Sequence, residues 1–320
     1  MFVGRQMDER DRFRGCPLGL ACGDAVGTTA EFRPRGSFVP VTDMTGGGPF
    51  RLKPGEWTDD TSMALCLATS LAELGTFDPA DQMLRYCKWM REGYLSSNGR
   101  CFDVGNAVRG ALSRFQYTGE AFSGSTDPRS AGNGCIMRLA PVPMFFFPDR
   151  NAAVRMSGES SRTTHGAATC IDCCRLFGGI LFQALAGAGK EDVLLGHGVT
   201  DLAHEDVQCI ALGKYRSKPD QEIQGSGYVV RSLEAALWCF WQTDTFKDAI
   251  LMAANLGDDA DTTAAVCGQV AGAYYGEAGI PKKWLELLAM CDEIRTLADR
   301  LRTKRPITQQ RAASHLTPLQ

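Results

Sequence analysis

The apolar residues of this chain recur at steps of three and four positions over most of its length, and glycine-rich loops separate the periodic stretches. In TSMALCLATSLAELG, Met63, Leu67 and Leu71 fall on one face of a helix. Gly75 follows, as is common just beyond a helix end. The same period occurs in PADQMLRYCKWMREGYL, AVRGALSRF, IDCCRLFGGILFQALAGAG, SLEAALWCFWQT, FKDAILMAANLG, AAVCGQVAGAYYG and KKWLELLAMCDEIRTLADRLRTK. Alternation typical of strands is scarce, with GYVVRS the one candidate, so the pattern predicts an all-α fold.

Composition narrows the possible partners. The 320 residues are 44% hydrophobic and 22% charged, close to the average of globular proteins, and no linker rich in proline or serine divides them. The formal net charge of -3 favours neither a nucleic acid nor an anionic membrane surface as a partner. We also expect no membrane span, because no fully apolar run approaches the roughly 18 to 20 residues that a span needs.

The number of cysteines is informative about the cellular compartment of the protein. Thirteen cysteines would suggest disulfides in a secreted protein, but the N-terminal MFVGRQMDERDRFRG is charged throughout and lacks the apolar segment of a signal peptide. We therefore expect reduced thiols and a cytoplasmic protein. Cys170, Cys173 and Cys174 are spaced closely enough to hold a metal, yet no matching Cys or His pair follows. The prediction is that they are buried helical residues that act as small hydrophobes.

Two short acidic stretches each precede an apolar helix. GEWTDDT contains Asp59 and Asp60, and NLGDDADTT contains Asp258, Asp259 and Asp261. Aspartate and threonine are common at helix N-caps, so two independent caps are one interpretation. One charge suffices for a cap, however, and if the two helix starts meet, carboxylates about 4 Å apart repel by roughly 4 kcal/mol at an effective dielectric of 20. The other interpretation is a cation site, with oxygen ligands enough for two ions, and such ligands favour Mg²⁺, Mn²⁺ or Ca²⁺ over zinc.

These stretches belong to a longer ordered pattern. The blocks GLACGDAVGTTAEF, GEWTDDTSMALCLATSL, GNGCIMRLAPVP, SSRTTHGA, GSGYVVRSLEAALWCF and NLGDDADTTAAVCGQVAGAYYG resemble the ADP-ribosylglycohydrolase family, in particular its branch similar to dinitrogenase reductase-activating glycohydrolase. The resemblance covers about residues 15–284 and implies a compact, single-domain orthogonal helical bundle with a binuclear metal cleft. We accordingly expect an N-terminal extension over residues 1–14, the domain over 15–303 and a tail over 304–320, where the apolar period is lost.

The resemblance also implies roles for particular residues. Two divalent cations, Mg²⁺ or Mn²⁺, would be held by Thr58, Asp59, Asp60, Asp259, Asp261 and Thr262, with Asp258 behind them. ADP-ribose would be bound by Asp24, Gly105, Asn106, Ser130, Gly132, Asn133, Gly134, His165, Gly225, Gly227 and Tyr228. The catalytic candidates are Asp60, Asp103 and Glu31, the last of which stands where some relatives have a catalytic glutamate.

The implied reaction is hydrolysis of the N-glycosidic bond between ADP-ribose and a protein arginine, with ADP-ribose as the product. Asp60 is the expected acceptor of the water proton, and Asp103 the expected partner of the guanidinium, because a carboxylate matches its paired donors. Two alternatives stay open. One is hydrolysis of another linkage, to serine, in O-acetyl-ADP-ribose or in poly(ADP-ribose). The other is an ADP-ribose-binding or immunity protein that occludes a toxin. The expected partner is an ADP-ribosylated protein, and the expected oligomeric state is a monomer.

Overall fold

The computed structural model describes residues 8–304, and within them the chain forms fourteen α-helices, five short 3₁₀ turns and no β-strand beyond isolated bridges. The α-helices are α1 (Glu9–Gly27), α2 (Asp59–Leu74), α3 (Pro79–Glu92), α4 (Asn106–Thr118), α5 (Pro141–Phe146), α6 (Arg150–Arg162), α7 (Ala168–Ala186), α8 (Lys190–Leu195), α9 (Glu205–Ala211), α10 (Val229–Gln242), α11 (Phe246–Ala254), α12 (Ala260–Tyr275), α13 (Lys282–Leu287) and α14 (Cys291–Thr303). The all-α single-domain prediction is confirmed.

Local sequence signals explain most helix ends. Gly75 closes α2 in the left-handed conformation, with φ of 69°, as its position after the periodic run predicted. The strand candidate GYVVRS is instead the start of a helix: Tyr228 is extended, and α10 begins at Val229. The alternation there was too short to outweigh the helical period that continues through LEAALWCFWQ.

The structure describes the two predicted terminal segments unequally: it includes part of the N-terminal extension over residues 1–14 but only one residue of the tail over residues 304–320. Helix α1 starts at Glu9, inside the segment assigned to an N-terminal extension, and its Phe13 is buried in the core. The predicted tail lies outside the described residues except for Lys304, whose ammonium donates to the carbonyls of Ala72 and Glu73 at the end of α2.

Helices α1 and α12 form the centre of the domain and touch backbone to backbone. Gly15, Gly19 and Gly23 recur every four residues on one face of α1. A Cβ added at any of them would collide with main-chain atoms of the facing helix, at Gly272, Gly268 and Ala264 in turn. We call this contact the glycine ladder. It fixes the register of the two helices and brings the C-terminal end of α1 beside the N-terminal end of α12, where the second acidic stretch lies.

Helix α7 contributes much of the remaining core. Cys170, Cys173 and Cys174 are fully buried on it, and all thirteen cysteines are free thiols, so the prediction of buried helical cysteines is confirmed. The helix starts three residues before the predicted periodic stretch IDCCRLFGGILFQALAGAG and has the same length. An 18-residue window of this helix has a mean hydropathy of 1.3, enough by length and composition to cross a membrane, but 78% of that window is buried inside the protein. Such burial is typical of a core helix.

A second, smaller core lies on the other side of α2. Met63 and Cys66 of α2 pack there against α3 and α4, while Leu67 and Leu71 of the same helix face the main core. Apolar residues therefore cover α2 on both sides. This burial holds its N-terminal residues, Asp59 and Asp60, at a fixed position between α1 and α12.

Candidate metal centre and active site

The two acidic stretches, about two hundred residues apart, meet in space. The hydroxyl oxygen of Thr58 lies 3.3 Å from Oδ2 of Asp60 and 3.4 Å from Oδ2 of Asp261. It also donates to Oδ1 of Asp24 at 2.9 Å. The side chains of all four residues are buried. The cation-site interpretation required this convergence, and two independent caps did not.

The N-terminal amides of both helices are capped by carboxylates from elsewhere. Asp24, on α1, accepts hydrogen bonds from the backbone amides of Thr58 and Thr61 and from both hydroxyls. Glu31 accepts from the amides of Ala260 and Asp261 at 2.8 and 3.1 Å. The N-cap residues of α2 and α12, by contrast, make no capping bond with their own side chains. The local carboxylates are thereby left for the cleft.

Two sets of carboxylates are close enough to share a cation. Asp24, Asp60 and Asp261 form one set, and Glu31, Asp259 and Asp261 form the other, with the ligand atoms of each set within 4.8 Å of one another. Asp261 belongs to both. Oδ1 of Asp60 is buried and has no hydrogen-bond partner in the protein, which is costly for a carboxylate oxygen unless a cation meets it. The donor set therefore fits a pair of hard divalent cations.

Crowding of like charges changes the acidity of these groups. Burial, reinforced by the charge of Asp259, raises the pKa of Glu31 to about 8. Burial raises the pKa of Asp103 to about 7. The pKa values of Asp59, Asp60 and Asp261 are also raised, again by burial first and then by neighbouring carboxylates. In the protein without cations, protons take part of the role that cations would have.

A cavity of about 490 Å³ opens above the cluster. The predicted site residues in its wall are Glu31, Asp59, Asp103, Gly105, Asn106, Gly132, Asn133, Gly134, His165, Gly227, Asp259, Asp261 and Thr262. Three predicted residues, Thr58, Asp60 and Asp24, are buried and are absent from that wall. Asp24 was expected to line the cleft, but it is 0% exposed and acts on the start of α2. Asp258 is exposed, and its backbone pairs with Phe32 and Arg33.

A second cavity, of about 550 Å³, adjoins the first and shares Asn106, Gly132 and Gly227 with it. Ser130 and Tyr228 line this one. Two loops form the boundary, because the amide of Asn133 donates to the carbonyl of Gly227 and the amide of Val229 to that of Ala131. Gly225 packs instead against Gly257 and Thr263 and lies in neither wall. The sequence placed it in the correct loop but two residues from the cavity.

The orientation of His165 depends on a residue that the sequence analysis missed. Arg138 is fully buried and donates to the carbonyl of Gly134 and to the hydroxyls of Thr163 and Thr164. Thr164 Oγ1 in turn lies 2.8 Å from Nδ1 of His165. Since the arginine can only donate, the threonine proton is free to point at Nδ1, which leaves the proton of His165 on Nε2. Burial lowers the pKa of His165 to about 4, so the ring is neutral at pH 7.

The imidazole ring of His165 also explains why residue 134 is a glycine. A Cβ on Gly134 would lie 2.8 Å from Cε1 of His165, closer than packed atoms approach. The loop can therefore contact the histidine only with glycine there. The only sequence signal for Arg138 was a single charge within the apolar run CIMRLAP, where a fully buried arginine is the less common outcome.

These features define the class of protein: an all-α enzyme in which buried carboxylates at two helix starts can hold metal ions beneath an open cavity lined by further carboxylates. The comparisons name the family. The family model described as ADP-ribosylglycohydrolase matches residues 5–311, so the chain belongs to that family and is an ADP-ribosyl hydrolase.

Individual relatives agree with the family assignment. The chain is 49% identical over 296 residues to an ADP-ribosylarginine hydrolase, Tri1, from Pseudomonas putida (strain GB-1), covering 92% of this chain and 79% of that protein. It is 35% identical over 292 residues to an ADP-ribosyl-dinitrogen reductase glycohydrolase from Rhodospirillum rubrum, covering 88% and 91%. A solved structure titled ADP-ribosylglycohydrolase-related protein complex superposes with a TM-score of 0.81 at 42% identity, covering 92% of this chain and 98% of that one. The resemblance read from the motifs is thus confirmed.

Proposed function

We propose that this protein is a metal-dependent hydrolase that removes mono-ADP-ribose from arginine side chains of proteins. The observation that carries the proposal is the convergence of Asp60 and Asp261 around one buried hydroxyl, with an oxygen of Asp60 left unpartnered. The name of the Pseudomonas putida relative supports arginine as the linkage. We further propose a cytoplasmic location and a monomeric state. The thirteen free thiols support the location.

Two divalent cations, Mg²⁺ or Mn²⁺, would be held by Asp60, Asp259 and Asp261 together with Thr58, Asp59 and Thr262. Asp24 and Glu31 each stand in one of the carboxylate sets and also cap a helix. When bound, the cations would supply Lewis acidity toward the ribose hydroxyls and the attacking water. The ligand types do not separate Mg²⁺ from Mn²⁺.

The two adjoining cavities offer room for the two halves of ADP-ribose. Their volumes of about 490 and 550 Å³ lie in the usual range for small-molecule sites. The ribose that carries the scissile bond would lie over the carboxylates, and the adenosine would extend toward Tyr228. The amides of Gly132 and Asn133 already donate to the carbonyls of Ser130 and Gly227. The backbone amide of Gly134 and the Nε2 hydrogen of His165 would donate to the diphosphate or ribose oxygens.

The chemistry then needs proton transfer at the bond to nitrogen. Water adds its oxygen to the anomeric carbon as the carbon–nitrogen bond breaks, and the bonding electrons leave with the guanidine nitrogen. The proton lost by the water finally resides on the released guanidine. Glu31 and Asp103 both line the cavity and can hold that proton on the way, whereas Asp60 lies outside its wall. We assign Asp103 to the leaving guanidinium.

The proposal is tested by the release of free ADP-ribose from a mono-ADP-ribosylated arginine protein, with Mg²⁺, with Mn²⁺ and with a chelator. The informative pair of variants is Asp259→Asn and Asp258→Asn, because the two aspartates are adjacent but only the first lies in the cluster. We expect metal-dependent release in the wild type and in Asp258→Asn, and loss in Asp259→Asn.

Other outcomes point to the alternatives. Release from an ADP-ribosyl-serine protein but not from the arginine conjugate would assign a different linkage. ADP-ribose binding without any release would favour a binding protein. Protection of a toxin's target by Asp259→Asn as effective as that by the wild type would favour occlusion as the mode of action.

A further inference from the structure

Three phenylalanine rings form a connected arc beside the cavity. The ring of Phe50 lies 6.1 Å from that of Phe32 and 5.3 Å from that of Phe102, measured between centroids. Phe32 follows Glu31 in sequence, and Phe102 precedes Asp103. Phe32 itself lines the cavity together with both of those carboxylates. We call Phe32, Phe50 and Phe102 the aromatic rim.

Phe32 is held in an unfavourable state on two counts. Its φ is 60°, in the left-handed region that a bulky residue seldom enters, and 64% of the residue is exposed. Its amide donates to the carbonyl of Asp258 at 2.8 Å, and the amide of Asp258 donates to the carbonyl of Arg33 at 2.8 Å. These two bonds pin the strained residue to the loop that carries the second acidic stretch. Strain and an exposed ring at one position beside the site indicate a role in binding.

The charge of the cavity indicates what the ring binds. Five carboxylates line the cavity, and no lysine or arginine is among the described residues in its wall. With Asp24 and Asp60 just below, seven carboxyl groups surround a site in which two divalent cations would supply four positive charges. A cationic group on the substrate is therefore favoured even when the metals are bound. Within residues 8–304, none of the cation–ring contacts involves Phe32, Phe50 or Phe102.

We propose that the aromatic rim is the binding site for the arginine side chain of the modified protein, with the guanidinium stacked on the ring of Phe32 while Asp103 meets its N–H edge. A planar guanidinium can use both contacts at once, since ring stacking uses its face and the carboxylate its edge. Phe32 lines the first cavity but not the second, so it is separate from the Tyr228 end. The inference rests on the proposed function and adds the residue that selects the leaving group.

The test compares two ligands that differ only by the arginine. KM and kcat are measured for ADP-ribosyl-arginine, and the Kd of the product ADP-ribose is measured by calorimetry, both with saturating Mg²⁺. The variants are Phe32→Leu, which keeps an apolar side chain but removes the ring, and Phe32→Tyr, which keeps the ring. Tyr117→Leu is the matched control, because Tyr117 is 92% exposed on α4 and lines neither cavity.

We expect Phe32→Leu to raise KM for ADP-ribosyl-arginine by about 3- to 30-fold, the range that a cation–π contact spans, with little change in the Kd of ADP-ribose. Phe32→Tyr and Tyr117→Leu should match the wild type. An unchanged KM in Phe32→Leu, or an equal loss of ADP-ribose affinity, would overturn the inference and leave the proposed function intact. If the wild type does not hydrolyse ADP-ribosyl-arginine, the proposed function fails and the inference falls with it. Should Phe32→Leu fold poorly, Phe50→Leu removes the neighbouring ring and is expected to give a smaller rise in KM.

Discussion

The hydroxyl oxygen of Thr58 lies 3.4 Å from Oδ2 of Asp261, although 203 residues separate the two in the chain. Each residue stands at the start of a helix, and each helix start is capped by a carboxylate from the end of α1 or the turn after it. One short segment, from Asp24 to Glu31, therefore assembles both halves of the candidate metal centre.

The unpartnered oxygen of Asp60 leads to a prediction on metal binding. Mg²⁺ or Mn²⁺ should raise the melting temperature of the wild type, and Asp60→Asn should abolish that rise together with hydrolysis. In chelator, however, Asp60→Asn should melt at the same temperature as the wild type or higher, because it removes one of several like charges. Scanning calorimetry with and without metal checks this. A metal-induced rise that survives in Asp60→Asn would exclude this carboxylate as a ligand.

The raised pKa values of Glu31 and Asp103, about 8 and about 7, predict how the stability of the metal-free protein depends on pH. The folded protein keeps protons that the unfolded chain loses above about pH 4.5. Its free energy of unfolding should therefore fall as pH rises from about 4.5 to 8, by at most about 1.4 kcal/mol per pH unit for each group. Denaturant unfolding in the presence of chelator at several pH values measures this pH dependence of the free energy of unfolding.

Cations compete with those protons. The stabilisation by saturating Mg²⁺ should thus be larger at pH 8 than at pH 5.5. A metal-free protein whose stability rises steadily to pH 8 would contradict the assignment of protonated carboxylates to the site.

Asp103 has a left-handed backbone, with φ of 58°, and lines the cavity. Asparagine tolerates that conformation, so Asp103→Asn should fold normally. We expect it to lose about 10²- to 10⁴-fold in kcat on ADP-ribosyl-arginine, the usual range for a general acid–base group. The Mg²⁺-induced melting shift and the Kd of ADP-ribose should stay near wild type. Full hydrolysis by this variant would remove Asp103 from the mechanism.

The Arg138–Thr164–His165 chain predicts a spectroscopic signature. Thr164→Val removes the hydroxyl beside Nδ1, so the ¹⁵N shifts of His165 should show a mixture of tautomers in place of the Nε2-protonated form. ADP-ribose affinity should drop by about 3- to 10-fold, as for one lost hydrogen bond. Thr163→Val is the control, because Thr163 also accepts from Arg138 but makes no hydrogen bond to the histidine. Equal tautomer shifts in both variants would show a general loosening instead.

The glycine ladder predicts opposite effects of one substitution at two helical sites. Gly19→Ala puts a methyl group into the backbone of Gly268 and should destabilise the protein by about 3 kcal/mol or more. Gly110→Ala, on α4, meets only the end of the Arg114 side chain at 3.5 Å and should stabilise by up to about 1 kcal/mol. Urea unfolding of both variants compares them. Tolerance of Gly19→Ala would mean that the helices can move apart.

The sequence was most informative where chemistry and position coincide. Each acidic stretch has more charges than one helix cap needs, which pointed to a cation site but left two independent caps open, and the fold brings the stretches together as the family resemblance implied. The roles of Asp24 and Arg138 could not be predicted, because hydrogen bonding across helices decides them and leaves no period in the sequence. No sequence pattern distinguishes Phe32 from other loop residues. Only its exposed ring and positive φ distinguish it.

The four-residue spacing of Gly15, Gly19 and Gly23 also limits how this chain can vary. With main chains in contact, α12 cannot slide gradually past α1, since any shift short of a whole helical turn sets a side chain against a carbonyl. The contact between the two helix backbones, rather than the side chains of the site, thus determines the distance between Asp24 and Asp261. Substitutions at the cavity rim can therefore change the surface that a substrate would contact while the distance between the carboxylates stays constant. Residues that recognise the substrate can thus diverge in evolution without a change in the geometry of the carboxylates.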